Sequence, residues 1–342
     1  TTVIPDANFE QALIDLGYDS GPIDGSVLTT SITSVDSLFL YNFNIADLTG
    51  IEDFVALTYL DCRYNQFISL DVTQNTALEI LSCSNNQLTS LDVTQNTVLE
   101  FLNCTSNQLS TLDVSQNTAL EMLFCGGNQL TSIDVSQNIE LLNLHCDLNQ
   151  LTSIDVSQNS ELKILSCVDN QLTSLDVSQN SSLIGIDCYD NDLTCLNVKN
   201  GNNTNFSYFG AFYNSNLTCI EVDDVAHSNS AWVGGNFGFD PQTSYSTTCN
   251  NACSSVTVGI EESSLSNISL YPNPTTGRAT IDLEEIMQDI KATLTNSLGQ
   301  VILTDNYTAT NFINLDINAP KGVYFLNLEV DGEVITKKII KK

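Results

Sequence analysis

Eleven cysteines, two histidines and 41 acidic residues are the groups with chemistry to offer in this 342-residue chain. Seven of the cysteines, Cys62, Cys83, Cys104, Cys125, Cys146, Cys167 and Cys188, follow one another at intervals of 21 residues. Metal and redox sites need side chains that converge, at spacings such as C-x-x-C. A uniform interval instead places one small apolar group in each structural unit, and free cysteine is among the most buried residue types. The column reads as core. Cys195, Cys219, Cys249 and Cys253 lie off it, beyond its end, and are disulfide candidates for an oxidising compartment. Cys195 and Cys219 sit in equivalent Leu-Thr-Cys contexts, whereas Cys219 with Cys249 would tie the end of the column to the segment that follows. All three connectivities stay open.

Among the acids, Asp147, Asp169, Asp187, Asp190 and Asp192 gather in one stretch. Oxygen-rich clusters can hold Ca²⁺, but there is no contiguous D-x-D-x-D loop, and Asp19 to Gly25 is too sparse for an EF-hand. A solvated acidic face is expected, with no metal and no cofactor. No G-x-S-x-G, H-E-x-x-H or phosphate loop occurs. His145, close to Asp147 and Phe124, is the one plausible acid–base residue of the repeats. Asp187 with Asp190 is the carboxylate pair a glycosidase would need, but an acidic surface supplies such pairs by accident. The expectation is a protein without catalytic activity.

The elements that hold these residues follow from the same interval. Asn65, Asn86, Asn107, Asn128, Asn149, Asn170 and Asn191 keep the 21-residue spacing, as do six aspartates from Asp71 to Asp176 inside the phrase L/I-D-V-S/T-Q-N. One unit reads Leu78-x-x-Leu81-x-Cys83-x-x-Asn86-x-Leu88. It resembles the leucine-rich repeat L-x-x-L-x-L-x-x-N-x-L, with Cys for the third Leu. Leu81 and Cys83, two apart, point to one side of a short strand and are buried. Each Asn stands where the chain turns, able to satisfy backbone groups of adjacent coils. Each coil adds one strand to a parallel sheet, at about 4.8 Å per coil.

Degenerate coils flank the regular ones, Val35 to Ile51 before and Phe206 to Asn214 after, which makes about nine. The segment Pro5 to Ile14, with helical spacing and an acidic first turn, reads as a helical cap over the first open edge. The third, fifth, seventh and eighth template positions face away from the core and vary while the frame does not. They carry Tyr41, Tyr59, Phe101, Phe124, His145, Tyr189, Tyr208 and Phe212, rings that a merely solvated face has little reason to hold. Rigid aromatics among polar neighbours are how interfaces and sugar-binding clefts gain contact area, so this concave face is the expected ligand-binding surface.

The net charge is −31, with 30 acids and only Arg63, Lys163 and Lys199 as bases in residues 1–260. Such a surface is ill suited to nucleic acid or an anionic membrane, and no run of 18 apolar residues suggests a spanning helix. Thr1 to Pro5 has neither the basic nor the apolar region of an export leader, so any leader is expected to have been removed.

Residues 261–342 are different, with 11 acids and seven bases, four of them in the last six residues. Six or seven short alternating strands indicate an all-β, Ig-like sandwich. Tyr271-Pro272-Asn273-Pro274 with Gly277, then Leu298-Gly299-Gln300, then Gly322-Val323-Tyr324-Phe325, and the basic end Lys337, Lys338, Lys341 and Lys342 resemble the type A sorting domain of type IX secretion cargo in Bacteroidetes. The resemblance covers about 265–342 and implies recognition by the type IX secretion machinery, outer-membrane passage, and release or surface attachment. The repeats are likewise similar to secreted leucine-rich proteins of that group, which implies surface binding without fixing a ligand. The expected organisation is an N-terminal cap (1–34), an α/β-type leucine-rich-repeat solenoid (35–219), a C-terminal cap with disulfides (220–253), a linker (254–264) and the β-sandwich sorting domain (265–342). The expected function is secreted or cell-surface recognition of a protein or glycan. The rivals are a polysaccharide-active enzyme and a purely structural or adhesive surface component.

Overall fold

The computed structural model describes residues 1–250, 253, 269–287, 290–296, 300–330 and 333–342. The linker expected at 254–264, and Leu298 and Gly299 of the second motif, lie outside the described residues. The chain divides into two compact units, Thr1–Ser255 and Val256–Lys342.

In the first unit the 21-residue period folds into a solenoid. Ten three- and two-residue strands, from Ser37–Phe39 to Phe237–Gly238, form one parallel sheet in chain order. Successive units pair at the same template position: Leu60 opposes Leu81, Leu81 opposes Leu102, and Leu102 opposes Leu123. The strand leucines and all seven column cysteines are fully buried in a single apolar core. Burial of a leucine side chain contributes about 1.5–3 kcal/mol, and no coil achieves it without its neighbours. The tenth strand, Phe237–Gly238, comes from the segment expected to be only a cap. The count of about nine coils is therefore low by one, because this turn has Gly234 at the first leucine position, Phe239 at the cysteine position and Gln242 at the asparagine position.

The turn after each strand is held by asparagine. Asn107 donates from Nδ2 to the carbonyls of Cys83 (3.1 Å) and Cys104 (3.0 Å), while its Oδ1 accepts from the Leu88 N–H (3.0 Å). The residue just before it, Ser106, has φ +56°, and Tyr64, Asn85, Leu148, Asp169, Asp190 and Tyr213 share this left-handed conformation at the same step. Left-handed backbone costs a non-glycine residue roughly 1–2 kcal/mol, so the buried amide fixes a turn that local preference would not choose. A second column, Asn75, Asn96, Asn117, Asn138, Asn159 and Asn180, is also fully buried. Asn117 donates to Val93 O (2.9 Å) and Asn96 O (2.8 Å), and the Oδ1 atoms of all six lack a protein partner. The repeated aspartates outside the core make turns: Asp113 Oδ1 accepts from the Ser115 N–H (2.9 Å), and these hydrogen bonds hold the carboxyl below its usual range.

The helix Ala7–Asp15 stands at the N-terminal end, capped by Asp6, whose Oδ1 accepts from the Asn8 and Phe9 N–H groups. Phe9 packs on Phe54 at 6.3 Å, and fully buried Glu10 accepts from the Asp24 (2.6 Å) and Gly25 (2.8 Å) N–H groups. At the other end Trp232 is buried against Phe206, Phe209 and Tyr245 at 5.2–5.7 Å. A second parallel sheet, Ser174–Asp176, Cys195–Asn197, Cys219–Glu221 and Ser244–Ser246, forms beside these last coils. Two disulfides clip it, Cys195–Cys253 (Cα–Cα 5.2 Å) and Cys219–Cys249 (5.9 Å).

The described residues of the second unit form seven antiparallel strands in two sheets. Ser269–Tyr271, Arg278–Met287 and Thr310–Asp316 make one; Ile290–Asn296, Val301–Tyr307, Gly322–Val330 and Glu333–Lys341 make the other. Alternation decides which side chains are buried: Ile281, Ala292, Leu294, Ile313, Leu326 and Ile339 join one apolar core.

Candidate recognition face and sorting segment

Strand geometry sends alternate side chains to opposite sides of the sheet. Leu and Cys take the core, so the third, fifth and seventh template positions must face outward. The rings expected there are half-buried or exposed, none is in the apolar core, and they fall into three groups.

Toward the N-terminal end, Phe39 packs on Tyr59 at 5.0 Å and Tyr41 on Tyr64 at 5.3 Å. The Arg63 guanidinium lies 5.6 Å above the Tyr41 ring and donates to Asp61 from Nε (2.8 Å) and Nη2 (2.6 Å). That carboxylate raises the arginine further above its usual range. In the middle, Phe101 meets Phe124 at 5.5 Å and Phe124 stacks on His145 at 4.7 Å. His145 Nδ1 lies 3.8 Å from Asp147 Oδ2. Burial pushes the Asp147 carboxyl up, but His145, the Ser166 hydroxyl and the Val168 N–H together outweigh it, and the group ends below its usual range.

Toward the C-terminal end, Tyr189 stacks on Phe212, ring centroids 4.7 Å apart and planes within 4°. Asp187, half-buried, is pushed up to about 6 by burial and then by the charge of Asp147. Tyr208 is also raised, by burial and then by Asp187 and Asp147. A cavity of about 440 Å³ opens here, lined by Asp187, Tyr208, Gly210, Phe212, Asn236 and Gly238 among others.

The grouping differs from the sequence reading in three respects. The five aspartates between 147 and 192 do not converge: no three metal-ligating groups come together among the described residues, and Asp169 and Asp190 are spent in left-handed turns. The carboxylate acting on Asp187 is Asp147, two strands away, rather than Asp190. Tyr64 stands at the eighth template position, expected on this face, whereas the cavity residues Asn236 and Gly238 carry no sequence signal, since they lie where the repeat phrase has faded.

The column thiols are inert by position, since burial holds each far above the usual range. Of the three open connectivities, the fold selects the one that ties Cys219 to Cys249, which leaves Cys195 with Cys253.

In the second unit the two ends of the sorting segment meet. Asn273 donates from Nδ2 to Lys338 O (2.7 Å) and accepts the Ile340 N–H on Oδ1 (2.9 Å). Thr275 N–H donates to Ile340 O (2.8 Å), and Gly277 O accepts the Ile317 N–H (2.7 Å). Tyr271, Pro272 and Pro274 are exposed beside this contact. Gly322 opposes Lys341 in the last strand pair, and the buried Tyr324 hydroxyl donates to Pro320 O (2.6 Å). The four terminal lysines are not equivalent. Lys341 Nζ donates to Ile317 O (2.8 Å) and Ala319 O (2.6 Å), whereas Lys338 and Lys342 are exposed and Lys337 half-buried.

Comparison with known proteins agrees with this division. Residues 269–342 match the secretion system C-terminal sorting domain. Internalin J of Listeria monocytogenes serotype 4b is 41% identical over 72 residues, 21% of this chain and only 8% of the internalin. Among solved structures, the internalin InlF from L. monocytogenes shares the fold with TM-score 0.58 at 18% identity, over 71% of each chain. Internalin C2 of the same organism aligns with TM-score 0.51 at 20% identity, over 64% of this chain and 94% of that one. The class is thereby defined: a leucine-rich-repeat solenoid. The particular chain is a secreted leucine-rich-repeat protein with a type IX sorting tail, which directs it to the cell surface or the medium. No helix among the described residues is long and apolar enough to cross a membrane.

Proposed function

We propose that this protein is a non-catalytic recognition protein of the cell surface or surrounding medium, binding a protein or glycan through the concave face of its repeats. In this reading Tyr41, Tyr59, Phe101, Phe124, His145, Tyr189, Tyr208 and Phe212 form the contact strip. Residues 1–34 and 220–253 serve as caps, and 265–342, an Ig-like β-sandwich, is the part the secretion machinery reads. Tyr271, Asn273 and the exposed Lys338 and Lys342 are the surface it would meet.

One observation carries the reading: a row of partly exposed rings, stacked on each other across neighbouring coils, on a face the apolar core does not need. Rings held by neighbours lose little freedom on binding, which is why such groups dominate binding energy. The test is a glycan array together with a panel of purified surface proteins, probed with the full chain and with the Phe101→Ala/Phe124→Ala double variant. Loss of bound signal by about ten-fold or more is expected. Equal signal from both proteins would contradict the assignment, and turnover of a polysaccharide would replace it with the enzymatic alternative.

A further inference from the structure

The cavity at the C-terminal end of the face has a construction the other two aromatic groups lack. Residues 208, 210 and 212 alternate with the buried Phe209 and Ala211, so Tyr208, Gly210 and Phe212 all face outward. Asp187 opposes Gly210, and Gly210 opposes Gly238, in the parallel pairing. The central row of the face therefore runs from a carboxylate to two positions with no side chain. Side chains at these glycines would meet their neighbours. A Cβ on Gly210 would come to 2.5 Å from Asp187 Oδ1, one on Gly238 would come to 2.8 Å from the Phe212 ring, and one on Gly185 would run into the Tyr208 ring. The space is kept open between an aromatic row at Tyr208 and another at Tyr189 and Phe212, with the carboxylate between them.

Among the described residues no hydrogen-bond donor reaches that carboxylate. The neighbouring acid is satisfied, since Asp147 accepts from the Ser166 hydroxyl and the Val168 N–H (3.0 Å). Among the described residues no ion pair involves Asp187: Arg63 is held by Asp61, Lys199 donates to Thr247 O, and His145 lies against Asp147. With 30 acids against three bases in residues 1–260, the field around the slot favours positive partners. A cation between ring faces and next to a carboxylate gains from both. A neutral sugar hydroxyl would gain the hydrogen bond and leave the charge uncompensated.

We propose that this slot receives a basic side chain, lysine or arginine, from a protein partner, with Asp187 as the counter-ion and Tyr208, Tyr189 and Phe212 as the ring walls. The proposal rests on the recognition reading above and narrows its ligand to a protein. It is tested by saturation-transfer NMR on the full chain at neutral pH and near-physiological salt. The probes are Nα-acetyl-lysine methylamide, its neutral isostere Nα-acetyl-norleucine methylamide, and cellobiose. The lysine probe is expected to receive saturation, with the signal falling about five-fold or more in Asp187→Asn and in Phe212→Ala. It should be unchanged in Glu140→Gln, which removes an exposed charge away from the slot. The two slot variants act through charge and through ring area, so misfolding of one leaves the other decisive. A lysine signal no stronger than that of norleucine, one indifferent to both slot variants, or binding of cellobiose alone would overturn the proposal. Phe101 and Phe124 lie on other coils, so such a failure leaves the test of the wider strip standing.

Discussion

Asp187 shows how one residue reveals its surroundings. Its carboxyl, ordinarily near 3.8, is pushed up to about 6 by burial and by Asp147, with His145 opposing. Tyr208, across the slot, is raised with it. A carboxyl with a raised folded-state value binds more protons in the folded than in the unfolded chain between those two values. Stability from this group is therefore lost as pH rises from about 4 to about 6, and the penalty persists at neutral pH. Asp187→Asn removes it. Half exposure screens the effect, so the expected gain at pH 7 is about 1 kcal/mol, vanishing near pH 4. Urea unfolding of the full chain, followed through the single, buried Trp232, reads it directly. An equal gain at both pH values would contradict the assignment. Little of this was legible beforehand. Tyr208 and Phe212 could be placed outward by alternation alone, whereas the slot depends on Gly185, Gly210 and Gly238, which contribute only by what they leave out.

At the scale of the coil, the two asparagine columns differ in what they satisfy. Asn107 makes bonds through both ends of its amide, to three carbonyls and one N–H. Asn117 donates to two carbonyls while its Oδ1 stays buried without a partner. Truncating Asn107 strands the Leu88 N–H and releases a left-handed turn, while the Cys83 and Cys104 carbonyls keep Asn86 and Asn128. Truncating Asn117 strands neither carbonyl, since Val93 O and Asn96 O keep the Asn96 and Leu99 N–H groups, and it also removes an unsatisfied oxygen. Asn107→Ala should therefore cost about 2–3 kcal/mol and Asn117→Ala about 1–2 kcal/mol; chemical denaturation of the two variants checks the order, and the reverse order would contradict it. The first column was legible because Asn at a turn next to Leu and Cys has a recognisable grammar. The second sheet, Ser174–Asp176 through Ser244–Ser246, was not, because it is made by main-chain pairing of three-residue segments that carry the same L-D-V or related phrase as unpaired coils. Nor was the tenth strand, because Gly234 and Gln242 stand where the leucine and asparagine that mark a coil would be, and the aromatic packing around Trp232 that holds Phe237 has no period.

At the scale of the whole molecule, the chain divides into two compact units. The second is identified by the sorting domain it matches and by the latch in which Asn273 and Thr275 bond to the last strand. Removing residues 265–342 should leave the array in the periplasm of its host, scored by immunoblot of cell fractions and medium; normal appearance outside the cell would contradict a sorting role. The first unit contributes a rigid face whose frame repeats while its outward residues vary. The most direct measurement of its role is hydroxyl-radical footprinting of the full chain with and without the strongest binder from the array or protein panel. The account predicts protection of Tyr59, Phe101, Phe124, Tyr189, Tyr208 and Phe212, with the Asp-Val-Ser/Thr-Gln turns on the opposite side unchanged. Protection concentrated on those turns, with the rings reacting as before, would contradict it.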